Sequence, residues 1–210
     1  MSLQRKRDWV ELGATVLLAI AAVATAWSSY QATRWNGEQA KTASRVNKTR
    51  IEAARADDLA NTQQQVDVAT FMQWVDAYAR DETELVSFYR ERFRAEFKPA
   101  FEAWIATKPL VTPGAPPTPF AMPEYELAAR DEAQQLDDEA EELAALVRRD
   151  IQRASNYVLG VVLFAVSLFF AGMSTKLTAP RLRQTMLVVG FALFVGAFVW
   201  IVTSPVSVGV

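Results

Sequence analysis

Charged side chains are absent from three stretches of the chain, residues 12–33, 154–175 and 184–210, and dense between the first two. A helix needs about 20 predominantly apolar residues to cross roughly 30 Å of hydrocarbon, and each stretch is long enough. Between Val158 and Phe170 the second holds ten Val, Leu or Phe residues. At about −0.3 to −0.6 kcal/mol each, these favour insertion by about 3–6 kcal/mol. The first stretch is weaker because it is rich in alanine (Ala14, Ala19, Ala21, Ala22, Ala24, Ala26). The pattern predicts transmembrane helices over 9–30, 157–175 and 185–203. Trp9 and Trp27 would sit roughly 27 Å apart on a helix, one at each interface. Glu11 lies one turn after Arg7, a spacing for an interfacial ion pair. A cleaved signal peptide also fits Arg5-Lys6-Arg7, the apolar run and Ala24-Thr25-Ala26. Helical sequence running straight through that cut favours a retained span.

The segment over 31–156 reads as helical. Neither Gly nor Pro occurs between Gly37 and Pro99, so the strongest helix breakers are missing. The first part, over 34–60, is polar and continues the first span. The next is amphipathic: Val68, Phe71, Met72, Val75, Tyr78, Leu85, Val86, Tyr89 and Phe93 recur at three- and four-residue steps. Asp57, Asp58, Asn61 and Thr62 suit a cap, which predicts a fold-back near 58–65. Seven of the nine prolines fall in a Pro-rich loop over 99–123, with a short helix over 101–107 and a polyproline linker or cap at Pro116-Pro117. From Glu124 to Gly160 a helix would run directly into the second span. The aromatic set Phe71, Trp74, Tyr78, Phe88, Tyr89, Phe93, Phe97, Phe101 and Trp104 is the expected core of this segment.

Charge refines the picture. Residues 31–56 hold six bases and two acids, and residues 124–150 hold ten acids and three bases. Two helices leaving one membrane face would pair at equal heights. That sets Lys41, Arg45 and Lys48 near Glu139, Glu141 and Glu142, and Arg55 near Asp131 or Glu132. Each exposed pair is worth about 0–1 kcal/mol, so the pairing sets register more than stability. The basic tail over 1–8 and the short basic loop over 176–184 (Lys176, Arg181, Arg183) predict a cytoplasmic N-terminus. The 31–156 segment and the tail over 204–210 would then be external, periplasmic in a Gram-negative cell.

The chain has no His and no Cys. Disulfides, Cys/His zinc sites, thiol nucleophiles and Ser-His-Asp triads are therefore excluded. A net charge of −2 gives no global footprint for nucleic acid. No Gly-rich phosphate loop is present, and no cofactor, metal site or catalytic residue is expected. Small residues at four-residue spacing, Ala22 and Ala26, Ser167 and Ala171, and Ala192 and Gly196, permit close helix packing in lipid. Thr15, Ala22 and Ser29 share a stripe of the first span, which would line a pore in a ring of subunits or simply pack.

The stretches ATAWSSYQATRWNGEQA, VDVATFMQWVDAYAR, TPFAMPEYELAAR and NYVLGVVLFAVSLFFAGMSTKL resemble those of a group of bacterial membrane proteins. That group has one N-terminal span, a helical middle and two C-terminal spans. The resemblance implies no activity and carries over no site residues.

The sequence therefore predicts an all-α integral protein of the bacterial inner membrane. It has three transmembrane helices, with a long helical hairpin, coiled-coil-like, inserted between the first and second. The expected role is non-enzymatic: the external domain mediates homo-oligomer assembly or binds a membrane or periplasmic protein. A homo-oligomeric channel lined by the first span is the alternative, and a membrane sensor or regulator the second alternative.

Overall fold

The computed structural model describes residues 2–109 and 111–207, with side chains described from residue 9 onward except those of residues 10 and 110. It is 84% helical, with no strand among the described residues, so the all-α class holds. The elements are α1 (Ser2–Ala79), α2 (Thr83–Arg92), α3 (Phe97–Ala106), a 3₁₀ turn (Pro119–Ala121), α4 (Ala128–Lys176) and α5 (Pro180–Val202). Parts of α1 and α4, and α5 throughout, are long and apolar enough to cross a membrane.

The expected fold-back near 58–65 does not occur. α1 runs unbroken for 78 residues, about 117 Å at 1.5 Å per residue. The residues read as caps are used sideways instead. Asn61 Nδ2 donates to Asp57 Oδ2 at 3.0 Å and Thr62 Oγ1 to the Asp58 carbonyl at 2.9 Å, both within the helix. The reversal comes at residues 80–82. There Asp81 takes φ 58°, a left-handed position that Asp tolerates better than most residues, and the Glu82 N–H closes on the Ala77 carbonyl at 3.0 Å.

α3 begins earlier than expected, at Phe97, and takes up the first part of the Pro-rich stretch. Pro99 lies in its first turn, where its missing N–H would have had no helical partner. The loop between α4 and α5 is only residues 177–179, because α5 starts at Pro180, a favoured first position.

The chain divides into two compact units, Met1–Arg45 with Leu143–Val210, and Val46–Glu142. The first has a core of Leu17, Ala21, Trp35, Tyr157, Phe164, Phe194 and Ile201 with small residues between them. The second is built on Phe71, Trp74, Phe93, Phe97, Phe101 and Trp104.

Candidate functional site

In the first unit, small and polar groups share the interior with a few large rings, while many large apolar groups face outward. Ser28, Gln31, Ser167 and Ser174 are buried. Trp9, Leu12, Val23, Trp27, Phe169, Val188, Phe191, Val199 and Val202 are exposed, Trp9 and Val23 at 70%. In water this arrangement would leave many large apolar side chains uncovered. In lipid it is the expected one, since hydrocarbon solvates the outer face and helices meet through small residues.

The close approach of α4 and α5 rests on glycine. The Ser167 hydroxyl donates to the Gly190 carbonyl at 2.7 Å. A Cβ on Gly190 would lie 3.2 Å from the Ser167 carbonyl oxygen and 3.3 Å from the Ala171 nitrogen, both backbone atoms. Gly160 is tighter still, with Ile201 Cδ1 at 2.6 Å from where a Cβ would stand. Gly190→Leu is accordingly expected to lower the stability of this unit by about 1–3 kcal/mol through overpacking, read as a lower midpoint of unfolding in detergent. At Gly196 a Cβ meets nothing within 4 Å, so Gly196→Leu adds no clash within the chain.

The predicted packing ridges therefore divide. Ser167 and Ala171 are buried between helices. Ala22, Ala26, Ala192 and Gly196 face outward, as do Thr15, Ala22 and Ser29 of the stripe. Intramolecular packing falls instead on Ala21, Ser28, Gly160, Gly190 and Ala197. The Thr15 hydroxyl is satisfied by its own helix, donating to the Glu11 carbonyl at 2.9 Å.

The tail after α5, expected to be external over 204–210, folds back over this unit as far as residue 207. The Pro205 carbonyl accepts from Trp35 Nε1 at 3.2 Å and from the Tyr157 hydroxyl at 3.1 Å, and the Ser207 N–H donates to Gln31 Oε1 at 3.0 Å. An uncharged peptide turn can dock there because three buried polar side chains supply its partners. Residues 208–210 lie outside the described residues. The Arg153 guanidinium covers the Trp35 ring, 4.5 Å from its centroid. The Arg7 side chain, expected beside Glu11, also lies outside the described residues. Glu11 instead stands 3.7 Å from Arg183 Nη2 on α5.

Charge pairing follows shorter paths than expected. Lys41 pairs with Glu38 at 3.0 Å and Lys48 with Glu52 at 3.7 Å, both along α1. A neighbour one turn away is met with less loss of side-chain freedom than one across a gap. Across helices in the second unit, Arg50 approaches Glu141 at 3.9 Å and Arg130 binds Asp57 at 2.8 Å. Arg130 also donates to Asn61 and Gln64. Arg45, Arg55, Asp131, Glu132, Glu139 and Glu142 are exposed, and none forms an ion pair among the described residues. At Asp57–Arg130 the acid is on α1 and the base on α4, the reverse of the expected arrangement.

The second unit holds one buried ion pair that sequence reasoning missed. Asp67 is fully buried, and its Oδ2 accepts from Arg94 Nη1 at 2.7 Å and from the Tyr125 hydroxyl at 3.2 Å. Arg94 also binds Glu96. Burial pushes the Asp67 carboxyl above its ordinary pKa, against the opposing pull of Arg94 and Tyr125. Burial, with the Asp67 charge, holds the Tyr125 hydroxyl well above its usual range.

Around this pair the aromatic core closes. Phe120 stacks on Phe97 at 5.2 Å, and Tyr125 meets Phe97 edge-on at 5.9 Å. Trp104 Nε1 donates to the Pro116 carbonyl at 2.8 Å, so the Pro-rich segment is a cap on the core. Of the expected core, Tyr78 and Phe88 are exposed and Tyr89 is half-buried.

No protein-family model, curated protein or solved structure matches the chain.

Proposed function

We propose that this chain is an integral membrane protein whose three apolar helices cross the bilayer. Its middle segment, with aromatic core and Pro-rich cap, then stands in water and serves assembly or partner binding rather than catalysis. The outward-facing apolar side chains of the first unit carry this reading, because only a lipid solvent covers them without a partner. The basic termini of the first and third spans favour a cytoplasmic N-terminus and an external middle segment, in a bacterial inner membrane on the sequence resemblance.

Self-association is favoured over a pore. Ala22 and Ala26 on α1, and Ala192 and Gly196 on α5, are small, exposed and unused within the chain, the form of a ridge that a second copy meets. Thr15, Ala22 and Ser29 share the outward face with Val16, Val23 and Tyr30, which makes a poor lining for ions.

The absence of cysteine makes the test clean. Membranes should keep the full-length chain through alkaline carbonate extraction, and a chain released to the supernatant would end the membrane assignment. In the same background, Asp58→Cys should react with an impermeant maleimide from outside the cell and Thr178→Cys only after lysis. The reverse labelling would invert the topology. By native mass spectrometry in mild detergent, Ala22→Leu and Gly196→Leu should shift an oligomer toward monomer. A wild-type chain that is strictly monomeric would refute assembly.

A further inference from the structure

The aromatic core of the Val46–Glu142 unit is not fully closed. An open groove of about 680 Å³ runs beside it, floored by Phe71, Trp74, Phe101 and Trp104 and walled by Met72 and Val75 of α1. That volume lies inside the range of small-molecule sites, which are mostly apolar with a few placed polar groups. Met72 is 60% exposed and Val75 37%, so the fold leaves apolar surface at a place where it has ample aromatic material to close it.

Apart from the Tyr78 hydroxyl, the polar side chains of the groove are donors or cations. Arg90 is on the rim, but its guanidinium is held bidentately by Glu102 at 2.6 and 2.9 Å. Lys108 is exposed and forms no ion pair among the described residues. Its backbone is left-handed, φ 52°, at the end of α3, where helices ordinarily place glycine because other side chains are disfavoured. A cation there meets the negative end of the α3 dipole, and the same side chain lines the groove. Trp74 lines the same groove with its indole N–H buried and unpartnered, while the neighbouring Trp104 N–H has the Pro116 carbonyl.

We propose that this groove binds a free single-chain anionic amphiphile of fatty-acid chemistry. Its chain lies along Phe71, Trp74 and Trp104, and its carboxylate sits at Lys108. The site stands on the second unit alone and is independent of whether the chain self-associates.

The full-length chain in phosphatidylcholine nanodiscs, photolabelled with a diazirine-bearing hexadecanoic acid and mapped by peptide mass spectrometry, tests it. Label should appear in 71–78 and 101–117. Lys108→Gly removes the ammonium and gives the left-handed position the residue it prefers, so the fold is kept, as unchanged tryptophan fluorescence would verify. At sub-saturating probe it should lower that label about fivefold, the upper end for one partly exposed ion pair. Val75→Trp should fill the groove and abolish the label. The matching hexadecanol probe should label wild type no better than Lys108→Gly.

Label confined to 9–30, 157–175 and 185–203 would overturn the site. So would label in the groove that ignores Lys108→Gly, or equal labelling by acid and alcohol. If phosphatidylglycerol nanodiscs compete the label away, the ligand is a bilayer headgroup and not a free amphiphile. Crosslinks between two copies through the groove would reassign it to self-association.

Discussion

Arg94→Met is expected to destabilise the Val46–Glu142 unit by about 3–5 kcal/mol at neutral pH. The partner it abandons is Asp67, a fully buried carboxylate whose Oδ2 keeps only the Tyr125 hydroxyl at 3.2 Å and whose Oδ1 has no hydrogen-bond partner. Methionine preserves most of the aliphatic volume, so the loss is electrostatic. Asp67→Asn in the Arg94→Met background should recover a large part, because no charge is then stranded. Amide exchange over 66–104 reads the effect. If those amides exchange no faster in Arg94→Met than in wild type, the pair is not what holds this unit.

The same pair fixes a pH dependence. Asp67 in the folded chain has a pKa above its ordinary value near 4, chiefly through burial. Between the two values the folded chain binds more protons than the unfolded one, so stability falls as pH rises through that window. Below the ordinary value the contribution is flat. Removing Arg94 removes the strongest opposing influence, so the folded pKa climbs and the falling limb extends to higher pH. Asp67→Asn should flatten the limb. A wild-type profile over this window that matches that of Asp67→Asn would contradict the assignment.

Asp67 shows why some of the site was legible and some was not. Ala60, Asp67, Phe71 and Trp74 fall at core-phase spacing on α1 and are all buried. An acid in that series was therefore a visible signal of a buried partner. The identity of the partner was not visible, since Arg94 is remote in sequence and sits in the turn before α3. The apolar helices were the opposite case. Their existence follows from length and composition, but a helix that is apolar all round has no preferred face. The sequence therefore offered no basis for choosing Ala21 over Ala22, or Gly190 over Ala192, as the buried positions. The contacts at Gly160 and Gly190 come from partners on other helices. The uninterrupted course of α1 through 58–65 was hidden for a third reason. Asp and Asn favour caps only when no better partner is offered, and Arg130 offers one to both Asp57 and Asn61.

Phe97→Ala carries the other large expected effect, about 3–5 kcal/mol. Its ring is fully buried and lies within 5.0 Å of Phe93, 5.2 Å of Phe120, 5.9 Å of Tyr125, 6.2 Å of Phe101 and 6.3 Å of Phe71, centroid to centroid. Those neighbours come from α1, the α2–α3 turn, α3 itself and the Pro-rich cap, so no single element can move to fill the void. α3 has only ten residues, too few to persist as a helix in water without its packing. Removing the ring should therefore release α3 and the cap together, with a red shift of Trp104 emission and loss of exchange protection over 97–106. Phe88→Ala is the control. Phe88 is 43% exposed and its closest company is the Arg92 guanidinium 3.6 Å above the ring, worth about 0.5–1 kcal/mol at an exposed site. Equal losses in the two variants would mean that the aromatic residues act as undifferentiated hydrophobic bulk, and that the ring of contacts around Phe97 does not organise this unit.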